Sequence, residues 1–195
     1  MTDGYRASVQ RPHRRIMWQA LEWPGCEDLD LAFDGTGVVA DGLVIARVDG
    51  EAVRMAYRVE CDEHWRAREV TIGLHGETPR TFAGDGAGTW LEDGRERADL
   101  AGCIDVDIAL TPFTNTLPIR RLALAEGAAS DLDVVYFLPA PRLDVSRAAQ
   151  RYRRTGSGYR YESGSFSADL TVDGDGLVTD YPGLWAIVDS GEPAP

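Results

Sequence analysis

Apolar residues alternate with polar ones along most of this chain, and the period is two. In 28–33, Leu29, Leu31 and Phe33 alternate with Asp28, Asp30 and Ala32, and Asp34-Gly35 ends the run. Val38 to Ala40 is short and meets Asp41-Gly42, while Leu43 to Val48 is nearly all apolar and meets Asp49-Gly50. From Ala52 to Cys61, Val53, Met55, Tyr57 and Val59 share one face. Asp-Gly between alternating runs predicts a hairpin, because both central residues of a type I′ turn need positive φ. Trp65 to Leu74 places Arg66, Arg68, Val70, Ile72 and Leu74 on one side. "GDGAGTW" (84–90) reads as a glycine-rich turn entering Trp90-Leu91, and "DGRERADLAG" (93–102) as another hairpin connection. Further strands are expected at 103–110, 119–124, 132–138, 159–163, 165–172 and 183–188. Roughly a dozen short strands with tight turns predict a mostly β protein, one long antiparallel sheet that curls like a half-barrel. No fixed-period repeat points to a propeller or solenoid.

One segment departs from this rule. In "PAPRLDVSRAAQRYRRTG" (139–156), Val145, Ala148, Ala149 and Tyr152 fall at i, i+3, i+4 and i+7, a helical stripe. Asp144 suits an N-cap, Gly156 a C-terminal stop, and four arginines crowd the last turns, where cations favour the helix dipole. The spacing predicts a single α-helix at about 142–155, laid against the concave side of the sheet so that its stripe is buried.

Composition and charge narrow the function. At 195 residues, 44% hydrophobic and 27% charged, the chain reads as one globular domain. The roll is expected over about 16–188, with flexible ends at 1–12 and 189–195. A net charge of −12 argues against a nucleic-acid partner, which requires a concentrated positive field. No apolar run approaches the ~18 residues of a membrane span, and the polar, basic N-terminus lacks the apolar core of an export signal. Cys26, Cys61 and Cys103 are odd in number, widely spaced and without a CxxC pair. A cytoplasmic protein with reduced thiols is therefore expected.

Catalytic and metal signatures are sparse. His13, His64 and His75 form no HxxxH or HExxH pattern and no Cys/His pair at zinc spacing, and neither a GxSxG elbow nor a P-loop occurs. The glycines of 84–90 precede a strand rather than a helix, which removes the anion-binding argument for them. No metal or other cofactor is expected. Asp105 and Asp107 share a strand face and lie close to 7 Å apart by strand rise. That separation suits acid–base work, and it equally suits two solvated acids paired with Arg66, Arg68, Arg120 or Arg121. The loop "TPFTNT" (111–116) offers Thr111, Thr114, Asn115 and Thr116 to sugar hydroxyls or to its own backbone turns. Pro112 and Pro118 keep this stretch out of a ladder. Residues 142–160 hold six arginines and one aspartate, a solvated basic end or an anion-binding rim.

Four stretches, "GCIDVDIALTPFTNTLPIRRL" (102–122), "GLVTDYPGLW" (176–185), "HWRAREVTIGL" (64–74) and "GAGTWLEDG" (86–94), resemble the bacterial family named for glycolipid binding, formerly a domain of unknown function. The resemblance runs from about Trp18 to Val188. It implies a spiral β-roll wrapped around one helix, similar to lipoprotein carriers that enclose acyl chains, and it brings no catalytic set with it. The reading that follows is a non-catalytic binder of a glycolipid or other amphipathic molecule. Acyl portions would lie along the 145/148/149/152 stripe, and polar groups would meet Asp105, Asp107, Thr114, Asn115, Thr116, Arg120, Arg121, Tyr152 and Tyr181. Two other readings stand beside it: an enzyme acting on a sugar or small polar metabolite through Asp105 and Asp107, and a structural roll with a filled core.

Overall fold

The computed structural model describes residues 13–33 and 35–188; the ends expected to be flexible, 1–12 and 189–195, lie outside the described residues. The first half of the chain forms β1 (His13–Ala20), β2 (Gly25–Phe33), β3 (Gly37–Val48), β4 (Glu51–Asp62), β5 (Ala67–Leu74), β6 (Arg80–Gly84), β7 (Trp90–Glu92) and β8 (Arg95–Glu96). The second half forms β9 (Asp105–Ile108), helix α1 (Thr116–Leu122), β10 (Ala129–Leu138), β11 (Asp144–Thr155), β12 (Gly158–Ser163), β13 (Phe166–Val172), β14 (Val178–Tyr181) and β15 (Trp185–Ile187). All strands join one sheet in the order β8-β7-β6-β5-β4-β3-β2-β1-β15-β14-β13-β12-β11-β10-β9. Neighbours are antiparallel throughout, with the exception of β9 and β10, which run parallel.

The expected curled sheet around a single helix is the fold, but the helix stands elsewhere. Residues 142–155 are not helical: they form β11, paired with β10 and β12. From Ala148 to Tyr152 the inward slots fall on 148, 150 and 152, and Gln150 is buried among them. A polar residue in a core slot hid the period of two and left the helical spacing as the visible signal. The helix instead occupies 116–122, where a strand at 119–124 was expected. It connects β9 to β10, and a parallel pair cannot be joined by a hairpin, so a crossover is obligatory there. The two prolines help to build it. Pro112 precedes a 3₁₀ turn at Phe113–Asn115, and Pro118 sits in the first turn of α1, where its missing N–H has no intrahelical partner to lose. Leu110, Phe113, Leu117 and Ile119 are all buried, so the segment fills the roll as a plug.

A second correction concerns Asp41-Gly42, which is no turn. Strand β3 runs straight through it, with Gly42 opposite Tyr57 on β4. A Cβ on Gly42 would lie 2.1 Å from Cζ of Tyr57, so the glycine makes room for the ring. Asp49-Gly50 is the hairpin turn, with φ of 51° and 86°. On β5 the expected face breaks at Arg68, an extra residue opposite the Glu60/Cys61 step. This bulge puts Ala67, Val70 and Ile72 inward and Arg68 out.

The roll is a spiral because its β9 end is tucked inside. Val106 and Ile108 on one face of β9, with Val135 and Phe137 on β10, turn toward the first half of the sheet, where Phe137 meets Phe82 at 5.0 Å. The opposite face, with Asp105 and Asp107, turns toward α1. Edges β8 and β9 do not pair, and arginines tie the β6–β8 end of the sheet to the start of β11 instead. Arg80 Nη1 donates to Leu143 O at 3.0 Å, Arg97 Nη2 to Val145 O at 3.0 Å, and Arg147 Nη1 to Ala101 O at 3.1 Å.

Candidate functional site

The face of β9 that meets the plug carries two acids with opposite surroundings. Asp105 is fully buried and held by Arg121, whose Nη2 lies 2.5 Å from Oδ2 and whose Nε lies 2.9 Å from Oδ1. Burial pushes its carboxyl above the ordinary range, and the guanidinium pulls it back. Asp107 meets only neutral donors. Gln150 Nε2 donates to Oδ2 at 2.6 Å, Thr114 Oγ1 to Oδ1 at 3.0 Å, and Tyr161 OH reaches Oδ2 at 3.4 Å. Desolvation raises its carboxyl, and these three donors only partly offset the rise. The Gln150 amide is held there although its Oε1 is buried without a partner, an arrangement that costs free energy.

Asp107 opens on a cavity of about 290 Å³ between β9, the plug and strands β12–β15, walled by Tyr136, Tyr161, Phe166, Tyr181 and Trp185. Thr111 and Asn115 from the plug complete it. Burial, followed by the Asp107 charge, pushes the phenols of Tyr136, Tyr161 and Tyr181 upward, so all three remain protonated donors. Tyr161, Phe166 and Tyr181 stand at the corners of a near-equilateral triangle, with centroids 6.1, 6.2 and 6.3 Å apart.

Four of the polar residues singled out in the sequence, Asp107, Thr111, Asn115 and Tyr181, line this cavity. Two stand directly behind it. Thr114 bonds Asp107 and accepts from Ile108 N at 3.2 Å, and Tyr152 OH donates to Asn115 Oδ1 at 2.8 Å. The other four do not reach it. Asp105 and Arg121 satisfy each other, Thr116 is buried with its hydroxyl unpartnered, and Arg120 lies over the Trp65 ring at 5.1 Å. The two acids therefore do not face one cavity together. The 145/148/149/152 stripe is likewise no acyl-lining surface, since it is not a helix face and the space inside the sheet is filled by Phe113, Leu117 and Ile119.

Sequence reading missed Gln150, Tyr136 and Tyr161, and also a second buried acid. Glu27 on β2 is fully buried, and its Oε1 accepts from Tyr57 OH and, at 2.7 Å, from Thr111 Oγ1. Its Oε2 has no partner, and desolvation raises its carboxyl to about 8. A signal existed: extending the Leu29–Leu31 alternation back by one step places Glu27 in an inward slot. Through Thr111, which lines the cavity, this acid lies one hydroxyl behind the site.

A wider groove of about 520 Å³ lies on the outer face of β3–β5, around Leu43, Ile45, Ala56 and Gly73. Its Asp41 and Arg58 neutralise each other at 2.6 Å. The inner cavity gathers more convergent polar chemistry, which is what marks a ligand site.

Fold and cavity together define a β-roll with a helical plug and one small acid-floored pocket beside it. The chain belongs to the family described as "Putative glycolipid-binding", which it matches over residues 15–186. It is similar to a DUF1089 family protein from Pseudomonas aeruginosa known from a crystal structure. The two are 32% identical over 95% of this chain and 99% of the other, with a TM-score of 0.72. No curated protein matches. Among the described residues no group of acids, histidines and cysteines could hold a metal ion, and no helix is long and apolar enough to cross a membrane.

Proposed function

We propose that this protein binds the polar headgroup of a glycolipid in the cavity at Asp107 and leaves the acyl chains outside the roll. The observation that carries this reading is a carboxylate with acceptor capacity to spare, set in a pocket of aromatic walls. A carboxylate offers about four lone-pair sites, and Asp107 uses three. Aromatic rings with a few fixed polar groups suit a sugar, whose C–H faces pack on rings while its hydroxyls bond the floor. Size supports a headgroup over a chain. At about 290 Å³ the cavity sits at the low end of small-ligand pockets, roughly 300–1,000 Å³. One headgroup fills it. Phe166, 42% exposed at the rim, offers the first methylenes a surface.

Trp185 lines the cavity and supplies the test. Titration with short-chain octyl glycosides below their micelle concentration is expected to change tryptophan emission saturably. Trp185→Phe should remove most of that change, and Asp107→Ala should weaken binding about tenfold, the loss of one charge-assisted hydrogen bond. Emission that stays linear across a panel of glycosides would overturn the proposal.

The two-carboxylate enzyme reading lacks its second carboxylate, because Asp105 is engaged by Arg121 and turned from the cavity. The filled-core reading accounts for the plug but not for the Asp107 pocket.

A further inference from the structure

We infer that the cavity selects a headgroup carrying an organic ammonium group, an amino sugar before a neutral one. This rests on the headgroup reading above and specifies its chemistry.

Charge is the first argument. Asp107 is the one acidic or basic side chain among the residues lining the cavity, and the groups that bond it, Gln150, Thr114 and Tyr161, are neutral. Its neighbour two residues away is treated differently: Asp105 receives a bidentate arginine. The plug presents an arginine to Asp105 and only the Thr114 hydroxyl to Asp107. Asp107 is half-buried at the cavity floor with no counter-ion among its partners, and an ammonium group on a ligand would supply one.

The walls give the second, independent argument. Tyr161, Phe166 and Tyr181 line the cavity with their rings mutually inclined at 58°, 77° and 47°, a cluster of tilted and edge contacts rather than one flat stack. Ring faces are negative, and a cation within about 6 Å of their centroids is attracted. A neutral hydroxyl gains nothing comparable. Tyr136 and Trp185 extend the same wall. Tyr161 belongs to both features, since its ring lines the cavity and its hydroxyl reaches Asp107. The net charge of −12 also steers cations toward the protein at long range.

The test uses the full chain and calorimetric titration at one pH and low salt. Methyl glucosaminide, methyl glucoside and methyl N-acetylglucosaminide share a ring and differ in charge at one position. The ammonium form is expected to bind about tenfold or more tighter than either neutral form, the sum of one charge contact and a ring contribution. Asp107→Asn should erase that difference between the charged and the neutral ligands. Because the N-acetyl comparison changes the ligand and not the protein, the result does not depend on the variant folding. Equal or tighter binding of the neutral glucoside would overturn the ammonium inference and leave the headgroup reading standing. Binding of choline without any glucosaminide would keep the ammonium chemistry and identify an alkylammonium source. If none of the four compounds binds, both readings fail.

Discussion

The two walls of the roll obey different rules. The wall of β1–β4 turns Ile16, Trp18, Leu29, Leu31, Val44, Val53, Met55 and Val59 inward, with Glu27 as its one buried acid. The wall of β9–β12 turns Asp105, Asp107, Gln150, Tyr152 and Tyr161 toward the plug. One wall supplies burial, and the other spends part of it on a hydrogen-bonded network. Local rule-breaking concentrates where a site is built. Even the exception on the first wall conforms to this, because Glu27 meets the network through Thr111.

Breaking that exception should have the largest effect. Unfolded, the Glu27 acid ionises near its ordinary 4.5; folded, burial moves it to about 8. The native state thus holds the proton more tightly, and stability contributed by this group is complete below about 4.5 and is lost as pH rises through about 8. The change is on the order of 5 kcal/mol if the whole shift is expressed. Urea unfolding across this range should show the decline, and Glu27→Gln, neutral at every pH, should flatten it. A wild-type curve as flat as the variant's would show that Glu27 does not titrate as a buried acid.

On the other wall the pair at Asp105 comes next. Arg121→Met leaves a buried carboxylate without its cation, which costs about 3–5 kcal/mol and should appear as a large drop in the urea midpoint at neutral pH. A drop indistinguishable from a surface substitution would mean that the pair does not anchor the plug. The smallest effect is expected at Asp107. Its donors are neutral, so Asp107→Asn should change stability by no more than about 1 kcal/mol, measured the same way. A loss as large as that at Arg121 would make Asp107 structural and erase the contrast between the two acids.

How far each region can be read from sequence follows the same division. Strands β2 and β4 are legible because one face is apolar and the other polar, so the period shows directly. Strand β1 hides behind Met17, an exposed apolar residue between the buried Ile16 and Trp18, and Gly42 imitates a turn because room for the Tyr57 ring requires the same residue. Strand β11 is disguised by Gln150, buried for the sake of Asp107. The plug is obscured by its prolines, which read as breakers although both stand where a helix begins. The stretch 102–122 was legible as a signature and as a source of polar groups. The orientation of Asp105 and Asp107 was not, since only the tucked β9 edge decides what lies over their face.

The pairing of β1 with β15 has a consequence for how the roll assembles. On either side of it the sheet grows by contacts between neighbours in the chain, apart from the crossover at α1, so two meanders can form from largely local encounters. The Trp18–Ile187 ladder is the longest-range event of all, and a rate set by topology should be governed by it. The entropy of closing so long a loop rises only with the logarithm of its length. The seam in the middle of the sheet is thus slow to find rather than weak once found.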